Sequence, residues 1–432
     1  MKNRKALALI AILALVAAAC GGSDGGSDEA VVEVETTEAP ATTEAPTTTA
    51  APAPASDPLI LASLMPLSGD LASLGPGIAL GAALAVEQIN AAGGINGQPV
   101  QLIEGDSGCD GAVALTSLND VIAQGAQGVM GAACSGTSLA ILDTAIAAEV
   151  VMVSPSNTSP QFTKIDKKGF YARTAPSDLL QGDVLASLLV EDGVQTVSII
   201  SRADSYGRGL AEATAAAFEA AGGTVKTIVY HATDASEFTS EVTAVGKGGA
   251  DAIVGILFPE TGCGVLQPAF EQGLLDTPWY MTDGVKDAGL ASLCGLGTAL
   301  DGFKGTAPGS AAGEAKDAFE AAYAEVSADG SPTFIFAPQA YDAVMLMAIS
   351  AAANGVTGPE IASGLVAASS GGEKCIGVAC IALAADGVDV DYVGASGELE
   401  LNAVGDPTAA TYDIWTTEGD TNPVLKSVDF GS

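Results

Sequence analysis

The feature that most constrains the fold is a repeated alternation of short apolar runs and amphipathic stretches, with one unit about every 20 to 30 residues. In the first half, strands are predicted at 59–69, 98–108, 128–133 and 150–155, with helical spacing between them. After residues 171–178 the pattern restarts, with strands predicted at 196–201, 224–230, 252–258 and 278–282. Strand–helix–strand alternation predicts parallel sheets flanked by helices. The restart predicts an α/β protein of two such lobes.

The boundaries of the lobes follow from where the pattern breaks and resumes. Two amphipathic helical patterns, at 314–326 and 336–353, are predicted to return to the first lobe, and the alternating tail at 397–419 is predicted to form hairpin strands in the second. We therefore assign 58–175 and 307–394 to lobe 1, and 176–306 and 395–432 to lobe 2. Several crossings between the lobes predict a hinge.

The N-terminus has the pattern of an export signal. Basic residues precede a short apolar core and three alanines, and Cys20 follows. This arrangement is similar to a bacterial lipobox, so residues 1–19 are interpreted as a signal peptide and Cys20 as a lipidation site. Residues 20–57 are rich in Gly, Ser, Thr, Pro and acids, which predicts a disordered tether. The alternative is a plain signal peptide that is cleaved near Ala19.

Charge and cysteine content exclude some classes of function. The formal net charge is −36, which makes nucleic acid a poor partner. Six cysteines follow Cys20, and an even number in an exported chain predicts disulfides. They allow 15 pairings; pairing sequence neighbours gives Cys109 with Cys134, Cys263 with Cys294 and Cys375 with Cys380.

Neither a metal site nor a cofactor is predicted. The single histidine, His231, and the absence of a CxxC pair disfavour zinc. The segment "GLGTALDG" follows no good strand, so dinucleotide binding is disfavoured. Trp279 and Trp415 are interpreted as structural. An exported esterase remains an alternative, but no serine stands in a G-x-S-x-G motif.

Small polar residues follow several predicted strands. The stretches are "PLSGDLASLG", "ACSGTS", "SPSNTSP", "SRADSYG" and "LFPETG". In open parallel sheets, ligands bind outside the carboxyl ends of the strands. Helix capping alone also explains hydroxyls at such positions.

Four stretches in this order resemble the type I periplasmic binding proteins of ABC transporters, in the branched-chain amino acid (leucine/isoleucine/valine-binding) family. They are "PLSGDLASLGPGIALGAALAVEQINAAGGING", "CDGAVALTSLNDVIAQGAQGVMGAACSGTS", "SPSNTSPQFT" and "SRADSYGRGLAEA". The resemblance covers residues 58–432 and implies two lobes joined by a multi-crossover hinge. It also implies a disulfide between Cys109 and Cys134, whose spacing matches a pair in the family.

The resemblance assigns roles to individual residues. Ser135 and Thr158 match carboxylate-binding hydroxyls, and Ser156 matches a residue whose carbonyl accepts from the ligand ammonium. Asp283 matches an acid that neutralises that ammonium. Tyr206 matches a tyrosine that closes over the ligand, and Asp178 matches an acid near the hinge. Leu74 and Phe258 match two pocket positions that are tyrosines in leucine-binding members. Because Leu74 and Phe258 lack hydroxyls, an apolar ligand side chain is expected.

The implied function is that of a receptor, not an enzyme. It would be lipid-anchored on the extracytoplasmic face of a bacterial membrane, would bind an amino acid without a cofactor and deliver it to ABC permease subunits, and would act as a monomer. Two alternatives keep the fold: a receptor for urea, a short amide or an aromatic acid, and a ligand sensor.

Overall fold

The computed structural model describes residues 57–430. The predicted signal peptide, Cys20 and residues 20–56 of the predicted tether lie outside the described residues. Within 57–430, no helix combines the length and the apolar character needed to span a bilayer.

The first sheet is wholly parallel and has the strand order β2-β1-β3-β4-β5. Its strands are β1 (Ile60–Met65), β2 (Gln101–Asp106), β3 (Gly128–Gly131), β4 (Val151–Ser154) and β5 (Tyr171–Arg173). The helices between them are α1 (Gly75–Ala91), α2 (Gly111–Ala123), α3 (Ser135–Ala147) and α4 (Gln161–Lys164). Every residue of β3 and β4 is buried, as expected for central strands covered on both faces.

The second sheet has seven strands in the order β15-β14-β10-β9-β8-β6-β7. Its strands are β6 (Thr196–Arg202), β7 (Thr224–His231), β8 (Ala252–Ile256), β9 (Trp279–Met281), β10 (Lys304–Pro308), β14 (Ala410–Thr416) and β15 (Val424–Phe430). The associated helices are α5 (Asp178–Glu191), α6 (Ser205–Ala220), α7 (Thr239–Gly246), α8 (Pro259–Glu271) and α9 (Leu290–Leu293). The strands from β6 to β10 run parallel, and the C-terminal pair is antiparallel.

The chain between β10 and β14 packs largely on the first sheet. Its elements are α10 (Glu314–Val326), α11 (Ala337–Asn354), α12 (Gly358–Gly364), β11 (Glu373–Ile376), α13 (Ala379–Ala385), β12 (Val390–Gly394) and β13 (Gly397–Glu398). Helix α11 contacts α1, β3 and β4, and the last three strands form a small separate sheet. The two α/β halves have the expected fold class. The lobe boundaries near residues 175, 306 and 394 remain a prediction.

The six described cysteines form three pairs between sequence neighbours. They are Cys109–Cys134, Cys263–Cys294 and Cys375–Cys380. The Cα atoms of Cys109 and Cys134 are 5.5 Å apart, and Cys134 immediately precedes α3. A crosslink across a loop of this length contributes about 3 kcal/mol in the chain-entropy model. It therefore holds the start of α3 beside the loop that follows β2.

Close packing of α1 on α11 places the segment before α11. A Cβ atom at Gly81 would collide with the carbonyl oxygen of Ala337, so only glycine allows the two helices this approach. The contact fixes the first turn of α11. Phe336, which precedes that turn, is thereby held between the two halves of the molecule.

Candidate ligand-binding site

A small cavity of about 10 Å³ lies where the ends of strands from both sheets meet. Its lining consists of Leu71, Ala133, Ser135, Ser156, Tyr206, Phe258, Asp283, Gly284 and Phe336. Residues from the first sheet's loops face residues from the second, as expected for a cleft at the carboxyl ends of parallel strands. A volume of this size holds about one water molecule.

One side of the cavity, which we call the hydroxyl wall, consists of Ala133, Ser135 and Ser156. Ser135 is the first residue of α3, and no side chain caps this helix. By contrast, α2 and α6 are capped by the carboxylates of Asp110 and Asp204. The first N–H groups of a helix have no intrahelical partner and attract anions. The hydroxyl wall therefore presents donors to a negatively charged group.

A buried hydrogen-bond network lies behind the hydroxyl wall. The amide nitrogen of Asn157 donates to the carbonyls of Ala132 (3.1 Å) and Ala133 (2.7 Å). The fully buried Arg173 donates to the carbonyls of Asn157 and Ser159, each at 3.0 Å. These bonds satisfy buried polar groups and hold the loops after β3 and β4 in one conformation.

The charge of Arg173 is balanced within the same network. Its Nε lies 2.9 Å from Oδ1 of Asp406, and Lys167 approaches the same oxygen at 3.6 Å. Burial acts to raise the pKa of Asp406, but Arg173, Thr163 and Lys167 together outweigh it and hold that pKa below its usual value. Asp406 therefore stays ionised and pairs with Arg173.

The opposite side, which we call the acidic wall, consists of Tyr206, Phe258 and Asp283. The Tyr206 hydroxyl donates to Oδ1 of Asp283 at 2.9 Å, and Nε2 of Gln181 donates to the same oxygen at 2.8 Å. Tyr206 and Phe258 are stacked, with ring centroids 5.3 Å apart. The Arg202 guanidinium lies over the Phe258 ring, 3.9 Å from its centroid.

Asp283 has no cationic partner among the described residues, although it is almost fully buried. Burial raises its pKa to about 6, and the bonds from Gln181 and Tyr206 offset only part of that rise. Behind it, Asp178 is fully buried, and neither of its carboxylate oxygens has a hydrogen-bond partner among residues 57–430. Burial and the nearby Asp283 raise the pKa of Asp178 well above its usual value. Neither of these two carboxyls therefore has an ion pair among the described residues.

The rim of the cleft is fastened by contacts that we call the rim latch. Glu260, at the start of α8, accepts from the backbone N–H groups of Leu71 (2.8 Å) and Ser73 (3.1 Å). Arg202 pairs with Asp70 at 2.7 Å. Both contacts join the loop between β1 and α1 to the second sheet's elements, so they form only when the two halves are close.

The structure brings together most, but not all, of the residues singled out in the sequence. Ser135, Ser156, Tyr206, Phe258 and Asp283 line the cavity. Thr158 and Asp178 lie behind the lining, fully buried, and the backbone N–H of Asp178 donates to the Thr158 carbonyl at 2.8 Å. The Thr158 hydroxyl has no partner among the described residues.

Leu74 departs from its expected place. It is fully buried in the core at the start of α1, and Leu71, three residues earlier, lines the cavity instead. The reason is the backbone of Leu71, whose φ of 64° turns the chain while Glu260 holds its N–H. A pattern of apolar residues in a loop carries no signal for which leucine turns inward.

Sequence reasoning also missed Phe336, Gly284 and the rim latch. Phe336 was placed inside a helical pattern, whereas it precedes α11 and has a left-handed backbone. One signal was present: Pro338 is typical of the first turn of a helix, which puts Phe336 outside it. The partners of Glu260 and Arg202 are distant in sequence and left no local signal.

Comparisons with known proteins agree with this architecture. The family model described as periplasmic binding protein matches residues 58–373. An amino acid binding protein of Pseudomonas aeruginosa is 34% identical over 238 residues, which are 53% of this chain and 62% of that protein. The chain thus spans less than two thirds of that relative.

Two further matches extend over more of the chain. A leucine-, isoleucine-, valine-, threonine- and alanine-binding protein of the same organism is 29% identical over 68% of this chain and 78% of its own length. The crystal structure of a branched-chain amino acid transporter substrate binding protein from Streptococcus pneumoniae, in complex with isoleucine, superposes with a TM-score of 0.72 at 22% identity. That match covers 87% of this chain and all of the other, and it shows the shared fold. The chain belongs to the periplasmic binding protein family.

Proposed function

We propose that the chain is an extracytoplasmic receptor that captures an amino acid in the cleft between its lobes and delivers it to the permease of an ABC importer. A branched or otherwise apolar side chain is the favoured ligand type. The observation that carries the proposal is the pairing of opposite walls across one cavity. Uncapped N–H groups and a hydroxyl face a buried carboxylate that has no ion pair within residues 57–430.

This arrangement complements a zwitterion. The ligand carboxylate would accept from the first turn of α3 and from Ser135, while its ammonium would sit against Asp283 and Tyr206. As the family resemblance implies, the Ser156 carbonyl would accept from the ligand ammonium, and the Thr158 hydroxyl would help to bind the ligand. A buried charge is tolerated when an opposite charge and hydrogen bonds compensate it. An α-amino acid supplies both charges in one small molecule.

The cavity of about 10 Å³ is far smaller than any amino acid. Ligand entry therefore requires the lobes to separate and close again, which is the hinge motion used by this class of protein. The rim latch contributes to the closed state, because its contacts join the lobes. No bond is made or broken in such a cycle, so we propose no catalytic residue.

The relatives support the ligand class, since their names specify amino acids. The family supports an extracytoplasmic place for the protein. Membrane attachment through Cys20, action as a monomer and the permease partner are parts of the proposal that follow from the sequence pattern of residues 1–57 and from the resemblance.

The test is calorimetric titration of the purified full chain with leucine, isoleucine, valine, alanine, glutamine, urea, acetamide and benzoate. We expect exothermic one-to-one binding of at least one apolar amino acid with a micromolar or lower dissociation constant. Binding of urea, acetamide or benzoate, without binding of any amino acid, would contradict the proposed ligand class. A transport role rather than sensing predicts that the chain stimulates ATP hydrolysis by a reconstituted cognate importer only when the ligand is present.

A further inference from the structure

A second and larger cavity adjoins the cleft on the far side of Phe336. It has a volume of about 240 Å³, and its lining includes Lys286, Pro308, Lys316, Phe334 and Gln339. Phe336 lines both cavities. Asp283 and Gly284 line the cleft, and Lys286 and Asp287, which follow them in the chain, line the larger cavity. Phe336 is the one residue that the two linings share, which makes it the candidate partition between the two spaces.

The backbone of this partition is held firmly from both lobes. Phe336 has φ 61° and ψ 0°, a left-handed conformation that is unfavourable for a bulky residue. The preceding Ile335 donates its N–H to Oδ2 of Asp287 at 2.9 Å, and the Phe336 carbonyl accepts from Ala340 at 2.9 Å. With its backbone fixed, Phe336 has one way to move, rotation of the ring about its side-chain bonds.

Gln339, in the wall of the larger cavity, has a buried hydrogen-bonding atom without a partner among the described residues. Gln339 is 2% exposed, and its Oε1 has no hydrogen-bond partner among the described residues. Its Nε2 donates to the Gly309 carbonyl at 3.0 Å, which fixes the amide plane. Buried acceptors are nearly always satisfied, so an orphan at a cavity wall marks a place for a donor. The two lysines of the wall are already paired with Asp413 and Glu320.

The cleft side of Phe336 is largely apolar. Leu71, Phe258 and Phe336 give the cleft carbon surface, so we expect a ligand side chain to meet carbon before it meets Gln339. An aliphatic stem with a donor at its end fits that order. Leucine has no such donor, and its side chain is too short to require the second space.

We propose that the larger cavity is a side-chain subsite, gated by the Phe336 ring, for amino acids whose long aliphatic side chain ends in a hydrogen-bond donor such as a carboxamide. The inference deepens the proposed function and rests on it. Rotation of the Phe336 ring joins the two spaces, so that the ligand's side chain reaches the larger one. Gln339 then recognises the terminal donor, and Asp283 and Ser135 hold the common α-ammonium and α-carboxylate.

The test compares leucine, norleucine and glutamine as ligands of the full chain. Phe336→Ala should raise the ratio of glutamine to leucine affinity about 10-fold, because without the ring the larger cavity is open to the ligand's side chain. Norleucine, which is long but has no donor, should gain relative to leucine in the same variant. Adding Gln339→Leu should cancel the gain for glutamine and leave norleucine unchanged, because only glutamine uses the acceptor.

Phe334→Ala is the matched control, since Phe334 lines the larger cavity but not the cleft. It should leave the ratio unchanged. A cooperative thermal unfolding transition shows that each variant is folded, and a rise of the unfolding temperature with leucine shows that it still binds ligand. An unchanged ratio in folded Phe336→Ala, or an equal gain in Phe334→Ala, would overturn the gate. Failure of the unaltered chain to bind any amino acid would overturn the proposed function as well, and titration of the unaltered chain with the amino-acid panel reveals that outcome.

Discussion

The two walls of the cleft are organised in opposite ways. In the hydroxyl wall, the loops are tied down by Asn157 and Arg173, and the charge of Arg173 is matched by Asp406. In the acidic wall, Asp283 receives two neutral hydrogen bonds, lies near a second buried carboxyl, Asp178, and has no ion pair among the described residues.

The two walls therefore differ in what they lack: the hydroxyl wall already has its binding groups in position, whereas the acidic wall has carboxyls whose charge is not compensated. The hydroxyl wall is complete without a ligand, and its N–H groups already point outward from a helix end. The acidic wall is electrostatically unfavourable until a cation arrives, because two buried carboxyls repel each other when both ionise. We therefore expect the acidic wall to control how strongly a ligand binds, and the hydroxyl wall to control how it is oriented.

The largest effect is expected from Asp283→Asn. The substitution keeps the shape of the side chain but removes the charge that faces the ligand ammonium, so leucine or isoleucine affinity should fall by about 3 kcal/mol, on the order of 100-fold. Titration calorimetry measures it. Asp143→Asn, an exposed change of the same kind on α3, is the control. Equal affinity in Asp283→Asn and the unaltered chain would mean that the acidic wall does not hold the ammonium.

The raised pKa of Asp283 predicts a pH dependence with a definite sign. Without ligand, Asp283 holds a proton below about pH 6, whereas a bound ammonium favours the ionised carboxylate. Affinity should therefore fall as the pH drops through about 6, and binding below that pH should release a proton. The groups that share this environment are Asp178, Tyr206, Thr282 and Tyr412. A profile between pH 5 and 8 that is flat in the unaltered chain would contradict the assignment.

An intermediate effect is expected from Ser135→Ala. The hydroxyl is lost, but the N–H groups of α3 remain, so affinity should fall about 10-fold with little change in thermal stability. Ser138→Ala, one turn further along the same helix, is the matched control, because that hydroxyl donates to the Ala132 carbonyl and does not line the cavity. If both variants bind as tightly as the unaltered chain, Ser135 is a structural residue.

The smallest effect is expected from Glu260→Gln in the rim latch. Its side chain touches the backbone of Leu71 and Ser73 rather than the ligand, so it stabilises closure without contacting the solute. We expect about 3-fold weaker binding, expressed as faster dissociation in stopped-flow measurements with an unchanged association rate. Glu271→Gln, at the exposed end of α8, should change neither rate. A change confined to association would place Glu260 on the entry path instead.

The sequence predicts a site residue well when nearby residues in the chain determine its place, and poorly when contacts distant in sequence do. Ser135, Ser156, Tyr206, Phe258 and Asp283 follow strands at points where the parallel arrangement makes them converge. Leu71 and Phe336 line the same cavity only because each has a left-handed backbone that turns its side chain inward. Such conformations are set by contacts with Glu260, Asp287 and α1, which are distant in sequence.

The sequence by itself determined the two α/β halves, because apolar periodicity is a local property and parallel strands with crossover helices are its stable outcome. It also predicted which strand ends carry hydroxyls and acids. Only the tertiary structure decided that Leu71 rather than Leu74 lines the cleft cavity, that Asp283 lies near Asp178 with no ion pair among the described residues, and that Phe336 lines two cavities. Each of these depends on packing between segments far apart in the chain, where the burial of one group fixes the direction and charge of another.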